Sequence, residues 1–422
     1  MTKTNKTLTS LSTKQRIEIL ASVKKVIIKK HFNVGGVSYA DWASRFEERL
    51  PSLLGVDIEE FEDGVRKALA ELASSHTVFY HERTNRLQPQ HSINATIRAF
   101  GPDGQQRWHF LDVFEDGPAH LAGIKQGEML VAVDGTPYAP PTMPPFRIGE
   151  THKIVVSSAL GETSREITVS IPFRKGTKDR PPIVEPKSPI HRVAAPKTGL
   201  LKIPFFPGPT GISFANALDA AIVDLKSQGC DRLIIDLRGN IGGSLGFARL
   251  ASYLCAGRVP IGHSLTPTRL RKGYSRDDLP RIPMPQTTHQ FMLALARFAL
   301  RDKSVMLLTQ GLGPQPFHGR VAILVNEWTN SAAEMLAGFA SENGLATIIG
   351  TKTAGNVLGA VNQKVGAGYW LRVPVFGWYT SNGKCLEGQG VAPDLDADVD
   401  PPSLDAAIDQ QARRAADILN AA

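Results

Sequence analysis

Two short apolar runs, each followed at once by a turn sequence and a helical pattern, constrain this chain more than any other feature. Arg232-Leu-Ile-Ile-Asp-Leu237 leads into Arg238-Gly-Asn-Ile-Gly-Gly243 and a helix reaching Tyr253. Val321-Ala-Ile-Leu-Val325 leads through Asn326-Glu-Trp-Thr-Asn330 into a helix from Ser331 to Ala340. An unalternated apolar run marks a strand covered on both faces, and repeated strand–turn–helix units bring such strands side by side in parallel. From Lys197 onward the pattern therefore predicts an α/β core, bounded here as 198–422.

The preceding residues follow other periods. Over residues 1–90, Ser12-x-x-Gln15 has capping-box spacing ahead of Ile17, Leu20, Val23 and Ile27 at helical intervals. A second helix starts near Asp57 with Ile58, Phe61, Val65, Leu69 and Leu72 on one face, and runs out into Ala73-Ser-Ser-His76. Residues 91–173 break into short alternating segments (Ser92 to Phe100, Trp108 to Phe114, Met129 to Val133, Ile154 to Ser157, Glu166 to Ile171) cut by Asp103-Gly104 and Asp134-Gly135. This is the pattern of a small β-rich domain. Residues 174–197, with Arg174, Lys175, Lys178, Arg180, Lys187, Arg192 and Lys197 among five prolines, read as a solvated, semi-rigid linker. Within the core, 258–318 reads as an excursion over the surface, or a lid, around one helix near Gln290 to Leu300.

Composition narrows the classes. At 422 residues, 42% hydrophobic and 21% charged, the chain is an ordinary globular one of about three modules. No apolar run approaches the roughly 18–20 residues of a membrane helix, and the polar start predicts no signal peptide. Cys230, Cys255 and Cys385 are too far apart for a zinc ribbon or a disulfide framework, which suits a reducing, cytoplasmic setting. Net charge is +8. Much of it sits in the Pro-rich segment without interleaved aromatics, so nucleic acid is not the expected partner.

Two turns carry the candidate chemistry. Ser331 at a helix start has a bland role as N-cap, but it is also where a nucleophile gains from free backbone N–H groups and the helix dipole. Gly242-Gly243 serves a tight turn, and equally lets backbone N–H groups approach a developing oxyanion.

With Leu233 to Gly243, Val321 to Glu334, Ile348-Ile-Gly-x-x-Thr-Ala-Gly355 and Glu387-Gly-Gln-Gly-Val-Ala-Pro-Asp394 in this order, the chain resembles the C-terminal-processing and tricorn serine peptidases. Phe114 to Ala132, ending in Val133-Asp134-Gly135, resembles a PDZ domain. The resemblance implies a multidomain α/β protein: a helical segment carrying a Ser-His pair, a PDZ-like domain and a peptidase core. The Ser–Lys branch places lysine directly after Thr-x-Gly. Here that residue is Asn356, and Lys352 lies on the wrong side of the motif. The tricorn-like branch carries a Ser-His pair and a Glu, matched by Ser75, His76 and Glu387.

This implies Ser331 as nucleophile, His76 as base and Ser75 with Glu387 as orienting relay. Gly242 or Gly243 with Ala332 would line the oxyanion hole, and no metal or cofactor is needed. Peptides or unfolded protein tails are the implied substrates, with a C-terminal carboxylate received near His91-Ser-Ile-Asn94, and oligomerisation left open. Two rivals remain. Gly242-Gly-Ser-Leu-Gly246 matches the G-x-S-x-G elbow of an α/β-hydrolase, with only His263, His289 and His318 downstream. The other is a catalytically inert, PDZ-bearing peptide-binding protein.

Overall fold

The computed structural model describes residues 10–33, 36–82, 86–173, 183–208, 210–300, 303–313, 317, 320–404 and 409–421. Six strands form the central sheet in the order Ile190–Ala195, Thr198–Lys202, Arg232–Asp236, Val321–Val325, Thr347–Gly350, Leu395–Asp396. The first pair is antiparallel and all the others are parallel. Side chains alternate across the strands. Leu233 and Ile235 face the helices Ile212–Ser227, Gly246–Leu254 and Ala332–Glu342, whereas Ile234, Ala322 and Leu324 face Gln410–Ala421. Both faces are covered, which explains the unalternated runs. Both turns of interest leave the same ends of adjacent parallel strands.

Part of the segment expected as linker departs from that reading. Residues 174–182 lie outside the described residues, but Ile190–Ala195 is a strand of the central sheet, in register with Thr198–Lys202. The 258–318 segment is likewise no simple excursion. Its strands Pro260–Leu265, Arg281–Pro283 and Met306–Leu308 enter a second sheet, and besides the expected helix, Thr288–Leu300, it carries a short one, Pro267–Lys272. Short strands bounded by prolines, as here, leave little periodic signal in sequence.

The second sheet is organised by the twelve-residue strand Tyr369–Thr380, which pairs antiparallel with Val78–His81, Gly359–Gly366 and Pro260–Leu265. The N-terminal helices Thr13–Lys30, Tyr39–Leu54 and Ile58–Ala70 have no core of their own. Ile19, Leu20, Val23, Trp42, Phe61 and Val65 pack in one cluster with Tyr369, Leu371 and Val373. Ser12 and Gln15 make the reciprocal capping box, and Ile19 replaces the expected Ile17, which is 51% exposed, on the buried face. The Phe79 and Tyr369 rings stack at 4.8 Å. This contact carries the N-terminal segment, and with it Ser75-His76, onto a strand nearly 300 residues later.

The β-rich residues form an antiparallel sheet in the order Ala95–Phe100, Arg107–Val113, Met129–Val133, Thr151–Ser157, Ser164–Ser170, around a separate apolar cluster that includes Ile97, Phe110, Leu130 and Ile154.

Phe79→Ala removes a fully buried ring that bridges two elements. It is expected to cost about 3–5 kcal/mol in urea unfolding, and amides of Val78–His81 should lose exchange protection along with the helices.

Candidate active site

Ser331 stands between the strand Val321–Val325 and the helix Ala332–Glu342 with φ 54° and ψ −115°. A non-glycine residue held in that region costs about 1–3 kcal/mol and persists only where its surroundings impose it. Glu334, one turn along the helix and fully buried, is the main anchor. Its carboxylate accepts the Ser331 N–H (3.0 Å), the Thr353 hydroxyl (2.6 Å) and the N–H groups of Gly355 (2.6 Å) and Asn356 (2.8 Å). Burial raises its pKa above the ordinary carboxylate value, against the lowering effect of these donors. Sequence reading passed over Glu334 as an anchor, although Ser331-x-x-Glu334 has capping-box spacing.

The glycine-rich turn packs directly on this serine. A Cβ on Gly242 would lie 2.7 Å from Ser331 Cβ, so only glycine fits there. Phe206 N–H donates to Gly242 O and Ser244 N–H to Phe206 O, both at 2.9 Å. That parallel bridge turns the N–H of Gly243 to the opposite side. Gly243 is exposed, and among the described residues neither its N–H nor that of Ala332 meets an acceptor. The Gly242 N–H is not available, because it donates to Asn240 Oδ1 at 2.7 Å. Of the three expected donors, Gly243 and Ala332 remain.

The Ser75-His76 pair lies in the turn after the third helix. His31 Nε2 contacts Ser74 Oγ at 2.7 Å, Ser74 Oγ contacts Thr77 Oγ1 at 2.8 Å, and His76 takes a left-handed φ of 60°. Glu387, 7% exposed, accepts the Ser75 N–H (2.8 Å), the Ser75 hydroxyl (2.9 Å) and the Val357 N–H (2.8 Å). Ser75 Oγ lies 2.8 Å from His76 Nδ1. The directions of these bonds are fixed by charge. A carboxylate only accepts, so the Ser75 hydroxyl donates to Glu387 and its lone pair accepts Nδ1–H. His76 Nε2 is then left as a free base. Burial, and secondly the Arg372 guanidinium, push the His76 pKa from 6.5 down to about 3. His91 is lowered to about 4 by the same two causes.

The structure thus joins Ser75, His76 and Glu387 in one chain and sets Ser331 against Gly242 and beside the free N–H groups. Among the described residues no hydrogen bond links His76 to Ser331. Consecutive amides, Asn356 and Val357, bind Glu334 and Glu387, so one strap spans the two halves. Asn356 Nδ2 also donates to Asn330 Oδ1 at 2.7 Å, and Lys352 is exposed. The alternative serine, Ser244, donates to Pro207 O at 3.0 Å. His263 is fully buried and contacts Tyr274, His289 lies on the Thr288–Leu300 helix, and His318 falls outside the described residues. The expected carboxylate-receiving loop is closed: Ser92, Ile93 and Asn94 are 0–1% exposed. The N–H groups of His91, Ser92 and Ile93 bond within the turn to Gln88 and Pro89, and Val184 N–H bonds across it to His91 O. Among the described residues no cluster of His, Cys, Asp or Glu could hold a metal, and no helix is long and apolar enough to cross a membrane.

Residues 197–397 match Peptidase family S41. A protein of Staphylococcus epidermidis named "Probable CtpA-like serine protease" is 24% identical over 79% of this chain and 59% of its own length. Its Staphylococcus aureus namesake is 23% identical over 67% and 48%. The chain thus spans about half to three-fifths of the length of these relatives. Among solved structures, the photosystem II D1 C-terminal processing protease superposes with a TM-score of 0.56 at 18% identity, over 92% of this chain and 94% of that one. Mature CPAF superposes with a TM-score of 0.55 at 15% identity, over 97% and 96%. These are likenesses of fold. The expected kinship to the C-terminal-processing serine peptidases is borne out by the family match and the CtpA-like relatives.

The bond directions at His76 predict an Nδ1–H tautomer, neutral at pH 5, readable in nitrogen-15 NMR of the imidazole. Because a nearby cation disfavours imidazolium, Arg372→Gln should raise the His76 midpoint toward 6.5. A midpoint unmoved by this change would leave burial as the only cause.

Proposed function

We propose that this chain, whose residues 197–397 match an S41 peptidase, hydrolyses peptide bonds through Ser331, His76, Ser75 and Glu387. The observation that carries this reading is the polarised chain Glu387–Ser75–His76, which leaves Nε2 as the acceptor for a serine proton. Ser331 Oγ attacks the substrate carbonyl carbon while its proton passes to His76 Nε2. The oxyanion forms against the N–H groups of Gly243 and Ala332, at the positive end of the Ala332–Glu342 helix. Collapse breaks the C–N bond, His76 returns the proton to the leaving amine, and water then cleaves the acyl-enzyme by the same route. The His76–Ser331 bond closes when substrate binds, as catalytic bonds that are long in free enzymes do.

The exposed Lys352 and the Asn356 after Thr353-Ala-Gly355 favour this relay over a Ser–Lys dyad. Ser331, not Ser244, holds the strained strand-to-helix conformation, which disfavours the α/β-hydrolase alternative. Retention of the Glu387–Ser75–His76 chain together with the strained Ser331 disfavours an inert binding protein.

The unit at 92–173 is read as PDZ-like from its strand pattern and its Gly117-Pro-Ala119 turn. With the 91–94 loop closed, it does not capture a terminal carboxylate there. Peptides or unfolded protein segments are the proposed substrates, and the cysteine usage supports a reducing, cytoplasmic setting.

Ser331→Ala should lower kcat on a susceptible peptide by about 10⁴-fold or more and abolish labelling by a serine-directed phosphonate. His76→Ala should cost a similar factor. Glu387→Gln should cost less, since Glu387 reaches His76 only through the Ser75 hydroxyl, although the amide's one oxygen orphans at least one of its three donors. Lys352→Ala should retain most activity; a loss as large as that of Ser331→Ala would restore the Ser–Lys mechanism. Labelling lost in Ser244→Ala instead would shift the nucleophile.

Two further outcomes follow from the charge and the closed loop. The acid limb of kcat/KM should lie well below pH 6.5, because only neutral His76 acts as base and its pKa is lowered. A peptide and its C-terminal amide should be cleaved within about twofold of each other; a tenfold preference for the free acid would mean that the 91–94 loop opens.

A further inference from the structure

Asn326 directly follows the strand Val321–Val325 and is 5% exposed. Its Oδ1 accepts two backbone N–H groups, from Gly239 at 3.0 Å and from Trp328 at 3.1 Å. Gly239 opens the turn that ends in Gly243, and Trp328 lies three residues before Ser331. One oxygen therefore ties the turn with the free Gly243 N–H to the turn that carries the serine. Asn326 Nδ2 donates at 3.1 Å to Asp112 Oδ2, a residue of the β-rich unit that is 2% exposed and also accepts the Thr96 hydroxyl at 2.7 Å.

An amide can face its partners either way round, and Asp112 removes the ambiguity. A carboxylate cannot donate, so only Nδ2 can face it, and Oδ1 is turned toward the two N–H groups. The fit around this junction is close. A Cβ on Gly239, which has φ 71°, would lie 2.8 Å from both Asp112 Oδ2 and the Phe114 ring. Arg98, from the same β-rich sheet, binds both Asp398 oxygens at 2.8 Å and reaches Glu327, next to Asn326, at 3.3 Å. The β-rich unit is thus seated against the two turns by charge and by packing.

We propose that Asn326 is a positioning residue that holds the oxyanion turn and the nucleophile turn in one register, and that Asp112 sets its orientation from the β-rich unit. The catalytic part of this proposal rests on the reading of Ser331 as nucleophile. Seating of the β-rich unit is then a condition for an assembled oxyanion hole. The unit acts on catalysis through an amide it orients and not by touching substrate.

The test compares full-length wild type with Asp112→Ala, Asp112→Asn, Asn326→Asp and the double variant Asp112→Asn with Asn326→Asp. Asp112→Ala should lower kcat and the phosphonate labelling rate by about 10–10²-fold with KM within about twofold, since loss of an oriented oxyanion donor acts on the transition state. Asp112→Asn keeps an acceptor oxygen and should recover most of the rate. Asn326→Asp sets two carboxylates against each other and should be slow, whereas the double variant restores one donor and one acceptor and should recover. A folded Asp112→Ala protein with wild-type kcat, or a double variant as slow as Asn326→Asp, overturns the proposal.

Hydrogen exchange gives a readout that needs no activity. In Asp112→Ala the Gly239 and Trp328 amides should exchange faster together, by about tenfold, with the unfolding midpoint little changed. Exchange that rises at one amide alone, or at neither, also overturns it. If Ser331→Ala leaves labelling intact while the two amides still move together, the serine reading fails and the positioning role of Asn326 stands.

Discussion

Two buried carboxylates joined by one strap hold this site together. Glu334 fixes the backbone of Ser331, Glu387 fixes Ser75, and the adjacent amides of Asn356 and Val357 bind one carboxylate each. An unpaired buried carboxylate is costly, so each must keep its full set of donors, and the strap that supplies them cannot shift for one without disturbing the other. That requirement fixes the separation between a helix start and a turn that lie more than 250 residues apart in the chain. It also accounts for the left-handed backbone at both His76 and Ser331, which isolated peptides would relax.

The surrounding architecture serves that alignment. The long strand Tyr369–Thr380 takes Val78–His81 at one end and Pro260–Leu265 at the other. The N-terminal helices therefore add their apolar faces to a core that belongs to the C-terminal half. Stacking of Phe79 on Tyr369 places the Ser75-His76 turn at the rim of the α/β core. A histidine enclosed there, with Arg372 near, stays neutral, which suits it to accept a proton. The orienting charge reaches it indirectly, through the Ser75 hydroxyl.

The β-rich unit has the strands its alternating pattern predicts, but not the open loop expected beside them. Its five strands follow the predicted segments within a few residues, yet the 91–94 stretch closes into a hydrogen-bonded turn covered by Val184. A carboxylate-binding loop needs free N–H groups, and these are spent internally. The same unit turns Asp112 and Phe114 toward Gly239, so its contribution lies on its core-facing side.

Local pattern in the sequence was enough for the parallel strands Arg232–Asp236 and Val321–Val325, the capped first helix, the β-rich sheet and the two turns, because each rests on contacts between near neighbours: side-chain period, caps and glycine turns. Ser331, His76, Ser75 and Glu387 were implied together only by the resemblance to the tricorn-like peptidases, not by local pattern. Local pattern did not reveal the strands inside 258–318 or the strand Ile190–Ala195, whose pairing partners supply what their own residues lack. Nor could it tell Gly243 from Gly242 as the free N–H, since that depends on which amide Asn240 and Phe206 occupy. The four donors on Glu334, the strap between the carboxylates and the hold of Asp112 on Asn326 are contacts between residues 19 to 214 positions apart, apart from the Glu334–Ser331 bond. The chain's local chemistry determined which groups could react. Only the tertiary structure decided which of them meet, because hydrogen-bond satisfaction in a buried site is settled by whichever distant segments folding brings to it.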